Sequence, residues 1–188
     1  MLSREILIVP TDHFRSTNSL FGSKEKMITT IIPSLLDMEM DNMKSYQNLS
    51  DYILQYFRNP NVLFGKSLKI LITGDQSAGK SVLAAKLALN QCVRYTRYYD
   101  PYILMDKTDH GKAMFIKDKY DDCMKAENAI IIIDDYDKMV GRNGSYVYDA
   151  LHAICARSIS NRVVMIITTR CTEGTERLGI DKYTSVNL

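Results

Sequence analysis

Apolar positions in this chain form short uninterrupted runs, separated by stretches in which they recur at helical spacing. Leu68–Thr73, Val93–Tyr98, Ala129–Ile133 and Val163–Thr168 read as strands, with Thr184–Leu188 as a fifth. Lys80–Asn90 reads as a helix. Ala113, Ile116, Tyr120, Cys123 and Met124 mark a second helix, and Val147, Ala150, Leu151 and Ile154 a third. Strands that are apolar throughout and joined through helices predict an α/β fold, a parallel sheet covered on both faces. The first part of the chain reads differently. Leu49, Tyr52, Ile53, Tyr56 and Phe57 form a helical stripe with Asn48 as its N-cap, ending before Asn59-Pro60. Ile28, Ile31, Ile32, Leu35 and Leu36 cluster upstream, but Pro33 breaks any single helix there. The expected organisation is a linker and helical strap over residues 1–66 and a core domain over 67–188.

Composition narrows the function classes. At 188 residues the chain suits one domain with an added N-terminal piece. A net charge of +2, with basic residues scattered among nearly as many acids, gives no signal for nucleic acid or a membrane surface. Runs such as Ala129–Ile133 are far too short to span a bilayer, and the patch Ile6–Pro10 is too short for a secretory signal. Cys92, Cys123, Cys155 and Cys171 lack paired spacing, so buried reduced thiols of a cytosolic protein are expected rather than a disulfide or zinc site. His13, His110 and His152 are too dispersed for a metal cluster. Tyr95, Tyr98, Tyr99 and Tyr102 lack a basic groove beside them, which favours packing over base stacking.

The strongest chemical signal is Gly74-Asp-Gln-Ser-Ala-Gly-Lys80-Ser81, set between a strand and a helix. That order is the one a phosphate-binding P-loop needs. Glycines let the backbone N–H groups turn inward, and the following helix aims its positive end at the same point. Lys80 can then reach the β- and γ-phosphates, while the Ser81 hydroxyl can sit on Mg²⁺. Two further strand ends add acids and hydroxyls. Asp134 and Asp135 close the run Ala129–Ile133 and resemble a Walker B element, with Asp134 as the metal-ordering acid and Asp135 as the residue that orients water. Asp135 is one methylene shorter than glutamate, so its carboxylate starts further from a γ-phosphate. Thr168 and Thr169 end the run from Val163, and either hydroxyl can serve as a sensor of that phosphate. Arg170 and Arg177 are the nearest downstream cations, either an arginine finger or ordinary surface residues.

Together these motifs resemble an AAA-type ATPase module, and more closely the second ATPase domain of the N-ethylmaleimide-sensitive fusion ATPases. Ile72-Thr-Gly-Asp-Gln-Ser-Ala-Gly-Lys-Ser-Val-Leu-Ala-Ala-Lys86, Ile131-Ile-Ile-Asp-Asp-Tyr-Asp-Lys-Met-Val140 and Ile166-Ile-Thr-Thr-Arg170 carry the likeness. The double aspartate is its sharpest marker. Val9-Pro-Thr-Asp-His-Phe14 and Ser19-Leu-Phe-Gly22 resemble the junction leading from the first ATPase domain. The resemblance implies a P-loop αβα sandwich with a five-stranded parallel sheet in the order 5-1-4-3-2. It implies ATP and Mg²⁺ as ligands, with Gly74, Asp75, Gln76, Ser77, Ala78, Gly79, Lys80, Ser81 and Val82 at the nucleotide and Ser81 and Asp134 at the metal. Asp135, Thr168 and Thr169 are the implied catalytic positions.

In that family the module belongs to a hexameric ring, chiefly holds ATP, and hydrolyses it weakly. SNARE complexes and their adaptor are engaged by other domains, which implies a cytoplasmic protein, peripheral to membranes through its partners, with no transmembrane segment and no nucleic-acid partner. The sequence to Leu188 lacks the helical lid that follows the fifth strand in AAA modules, so it is expected to be a fragment of a longer machine. The stretch after Arg170 also lacks the paired-arginine pattern of active AAA domains, and both departures count against hydrolysis rather than nucleotide binding. The alternative is a stand-alone, hydrolytically competent P-loop ATPase or a small-molecule kinase; a kinase calls for an arginine cluster that is missing between the loop and Asp134. A replication-type AAA protein calls for a basic stripe that is equally missing.

Overall fold

The computed structural model describes residues 6–7, 43–59, 67–89, 95–126, 128–140, 146–157, 162–172, 175, 178–180 and 185–188. Their elements follow in the order β1 (Ile6–Leu7), α1 (Met43–Arg58), β2 (Leu68–Thr73), α2 (Lys80–Leu89), β3 (Tyr95–Tyr99), α3 (Asp109–Cys123), β4 (Asn128–Ile133), α4 (Tyr136–Val140), α5 (Tyr146–Ala156), β5 (Arg162–Thr169) and β6 (Ser185–Asn187). All strands lie in one sheet, ordered β1-β3-β4-β5-β2-β6. β2 to β6 run parallel, and only the short edge strand β1 is antiparallel.

Side-chain alternation divides the core. Ile70 and Ile72 of β2, Ile130 and Ile132 of β4, and Val164 and Ile166 of β5 face α1 and α2. Leu71, Ile131, Ile133, Val163, Met165 and Ile167 face the opposite way, toward α3, α4 and α5. Helices on both faces explain why β4 and β5 can be apolar at successive positions, each fully buried Ile contributing about 1.5–3 kcal/mol. α1 is docked at its end: Tyr56 OH donates to the Val163 carbonyl at 3.4 Å, and Arg162 Nη1 donates to the Phe57 carbonyl. The N-terminus of α3 is capped by Thr108, whose hydroxyl accepts from Gly111 N at 3.1 Å.

Several boundaries depart from the pattern-based reading. α1 begins at Met43, so Asn48 lies inside it and caps nothing; Tyr46 packs on the core and extends the apolar stripe backward. β3 runs to Tyr99, and 93–94 lie outside the described residues, as do Asn90 and Thr184 at the expected element ends. α4 and β1 are unforeseen, being too short to show a period. Cys123 and Cys155 are buried free thiols, but Cys171 is exposed just beyond β5. Tyr95, Tyr98 and Tyr99 are buried, whereas Tyr102 is 78% exposed in the turn after β3. The segments Val9–Phe14, Ser19–Gly22 and Ile28–Leu36, together with His13, Cys92 and Arg177, lie outside the described residues. No helix among the described residues is long and apolar enough to cross a membrane.

Candidate functional site

Parallel strands deliver their C-terminal ends to one rim of the sheet, and the three motifs meet there. β2 runs into the loop Gly74–Gly79, which feeds directly into α2. Two residues hold the loop in backbone shapes that suit its sharp path: Ser77 has φ +68° and Gly79 φ +83°. Ala78 N closes a turn on the Asp75 carbonyl at 3.3 Å, while Asp75, Gln76 and Ser77 are exposed. Gly74 is required for a different reason. At φ +149° a Cβ there would lie 2.7 Å from the Leu188 carbonyl oxygen, so only glycine lets the chain just past β6 approach.

Lys80 opens α2 and is 6% exposed. Its ammonium folds back over the loop and donates to the carbonyls of Gly74 at 3.0 Å and Asp75 at 2.6 Å. A buried cation whose only partners among the described residues are two neutral carbonyls carries uncompensated positive charge beside an open space. That space is a groove of about 240 Å³, lined by Gln76, Ser77, Gly79, Lys80, Ser81, Val82, Asp135, Lys138 and Arg170. The N-terminal end of α2 contributes its unpaired N–H groups and dipole to the same groove.

Asp134 lies beneath the groove, 5% exposed, and binds three hydroxyls. Its Oδ1 accepts from Ser81 Oγ at 2.8 Å and from Thr168 Oγ1, and its Oδ2 accepts from Tyr98 OH at 2.5 Å. Its N–H donates to the Tyr99 carbonyl at 2.8 Å. Strand parity explains this convergence. Tyr98 pairs with Ile132 and Ile132 with Ile166, so Asp134 and Thr168, two positions further on, share the face covered by α2. Thr169 points to the opposite face, with its Oγ1 3.1 Å from Asp137 Oδ1 and 2.8 Å from the Cys171 carbonyl. Burial and the Asp134 charge push the Tyr98 phenol far above its ordinary value, so the hydroxyl stays protonated and donates.

Asp135 turns away from the strand with φ +50°, a shape aspartate tolerates better than most residues. Its N–H donates to Thr168 Oγ1 at 3.0 Å, and its carbonyl accepts from Lys138 N at 2.9 Å as α4 begins. The Asp135 carboxylate is ion-paired with Lys138 Nζ, which raises the Lys138 ammonium above its ordinary value. Arg170 is held within its own chain: its backbone N–H donates to Asp137 Oδ1, and Nε and Nη2 donate to Oδ2, each at 3.1 Å. Burial alone would raise the Asp137 carboxyl. The Arg170 donors and the Thr169 hydroxyl outweigh it and hold the group below the ordinary carboxylate range.

Of the positions expected from sequence, Gln76 to Ser81, Val82 and Asp135 therefore surround or adjoin one groove, with Asp134 and Thr168 just below it; Thr169 stands apart. Tyr98, Asp137 and Lys138 were not foreseen as site residues. Tyr98 shares a face with the apolar positions of β4, and Lys138 stands one turn after Asp135, so both placements follow from periodicity once the sheet is known.

The donor set also bears on a metal. Among the described residues no group of three or more His, Cys, Asp or Glu side chains gathers at one point. Ser81 and Asp134 offer oxygen only, which suits Mg²⁺, a hard cation that keeps water and takes substrate phosphates rather than a closed protein cage. No protein-family model matches this sequence, and comparison with curated proteins returns no match.

Proposed function

We propose that this chain binds ATP with Mg²⁺ in the groove between the Gly74–Gly79 loop and the ends of β4 and β5. One observation carries the reading: Ser81 Oγ and Asp134 Oδ1 meet at 2.8 Å although 53 positions apart in sequence, beside a buried Lys80. A loop, a cation and a carboxylate at one rim are what a triphosphate requires. The incoming β- and γ-phosphates would replace the Gly74 and Asp75 carbonyls as partners of Lys80. Mg²⁺, held by Ser81 and Asp134, would neutralise phosphate charge when bound.

In finer detail, the chain is an AAA-type module of a vesicular-fusion ATPase, holding ATP for assembly of a hexameric ring. The neighbour order supports this: with β2 to β6 counted as strands one to five, the parallel part of the sheet runs 5-1-4-3-2. Weak hydrolysis is supported by the Lys138 ion pair, which holds the short Asp135 carboxylate to one side. SNARE complexes and their adaptor would be engaged elsewhere in the parent assembly, placing the module in the cytoplasm.

Isothermal titration of ATP, with and without Mg²⁺, tests the reading. Saturable binding strengthened by Mg²⁺ is expected. Lys80→Met removes a charge-assisted contact of about 1.5–3 kcal/mol and so weakens binding by about tenfold or more. A folded wild-type chain that takes up no ATP refutes the proposal.

A further inference from the structure

We infer that Tyr98 is a positioning residue for the magnesium–phosphate site, its hydroxyl fixing one oxygen of Asp134 so that the other faces Ser81. The inference rests on the nucleotide reading above and names a residue that no motif supplies. Tyr98 is 2% exposed, and its OH lies 2.5 Å from Asp134 Oδ2. Its phenol runs along the sheet from the neighbouring strand, one side-chain step behind the carboxylate it reaches: Tyr98 is in register with Ile132, and Asp134 follows two positions later. That step measures about 6.6 Å, which a tyrosine spans and most side chains do not.

The division of labour within the carboxylate gives the contact its meaning. Ser81 and Thr168 both bind Oδ1, while among the described residues Tyr98 alone binds Oδ2. A carboxylate fastened at one oxygen only can rotate about its Cβ–Cγ bond; one fastened at both cannot. Loss of the Tyr98 hydroxyl would also leave a buried charged oxygen without a donor. Partners of this kind, one bond removed from a metal ligand, set metal affinity in many proteins, typically by 10–100-fold. Tyr98 contributes to the core as well, since its ring packs among Ile130, Ile132 and Ile166. The ring and the hydroxyl therefore have separable roles.

Tyr98→Phe keeps the ring and removes the hydroxyl. The assay is binding of a fluorescent ATP analogue as Mg²⁺ is titrated, together with melting temperature in the absence of both ligands. The expected result is an increase of about tenfold in the Mg²⁺ concentration at half-maximal effect, with binding of the metal-free nucleotide altered less than twofold. Tyr120→Phe is the control, a buried tyrosine whose hydroxyl has no hydrogen-bond partner among the described residues and which lies on the other face of the sheet; it should leave the Mg²⁺ dependence unchanged. In an Asp134→Asn background, Tyr98→Phe should add nothing further. An unchanged Mg²⁺ dependence in folded Tyr98→Phe overturns the inference and leaves the nucleotide reading standing. Absence of nucleotide binding by the wild type, with or without Mg²⁺, overturns both. If Tyr98→Phe fails to fold, the wild type labelled at the tyrosine ring carbon decides: the Tyr98 signal moves when Mg²⁺ joins the ATP complex, and a stationary signal overturns the inference.

Discussion

Adding one methyl group at each of the two loop glycines should separate stability from binding. At Gly74 the new Cβ meets the Leu188 carbonyl oxygen at 2.7 Å and the Leu188 and Ala78 Cβ atoms at 3.3 and 3.4 Å, with φ at +149°. The Leu188 backbone cannot withdraw freely, because its N–H is bonded to the Thr73 carbonyl at 2.8 Å. Gly74→Ala thus incurs about 1–2 kcal/mol of backbone strain and about 1–3 kcal/mol of overpacking. At about 2–4 °C per kcal/mol for a chain of this size, melting should fall by about 4–20 °C. Gly79 has φ +83° but nothing within 4 Å of an added Cβ, which would project into open groove. Gly79→Ala incurs the strain alone, lowering melting by about 2–8 °C. Its methyl, however, occupies space that a phosphate oxygen would need, so ATP affinity should fall by about fivefold to a hundredfold. Differential scanning fluorimetry and titration calorimetry on the two variants read both quantities. If folded Gly79→Ala binds ATP as tightly as the wild type, the ligand does not sit on this loop and the reasoning fails.

Lys138→Ala should change melting by less than about 4 °C, since a partly exposed ion pair contributes about 0.2–1 kcal/mol, yet turnover per bound ATP should rise by up to about fivefold as Asp135 is released. A fall in turnover would show that Lys138 assists the reaction. Asp137 is held below its unfolded value, so its contribution to stability is present at neutral pH and is lost as pH falls through and below the ordinary carboxylate value of 3.8. Melting of Asp137→Asn between about pH 3 and pH 6 should be flatter than that of the wild type; parallel curves would exclude the linkage. Burial pushes the thiols of Cys123 and Cys155 up to about 12 and about 11, while Cys171 is exposed. Iodoacetamide should therefore label Cys171 well before Cys123 or Cys155 in the native protein, as mapped by peptide mass. Equal labelling would contradict that burial.

Much of this architecture was legible in residue order. The buried strands and the loop before α2 could be read because long apolar runs and a glycine pattern are local signals, independent of what packs against them. α4 was invisible for the opposite reason: its short segment forms because Tyr136 and Met139 find a pocket under the sheet. Asn48 misled because its chemistry fits a cap, while the packing of Tyr46 extends α1 past it. The choice between Thr168 and Thr169 needed the face on which α2 lies. Once Ile166 and Ile132 are known to share that face, Thr168 must join Asp134 and Thr169 must turn away. Tyr98 was the least legible. Its role depends on β3 lying beside β4, a pairing between strands separated by a whole helix.

The most direct test replaces Mg²⁺ with paramagnetic Mn²⁺ in the ATP complex and follows backbone amide signals by NMR. Signals of Gly79 to Val82 and of Asp134 and Asp135 should broaden together and recover when Mg²⁺ displaces Mn²⁺. Broadening at the loop without Asp134, or at Asp134 without the loop, would contradict a single magnesium–triphosphate site between them.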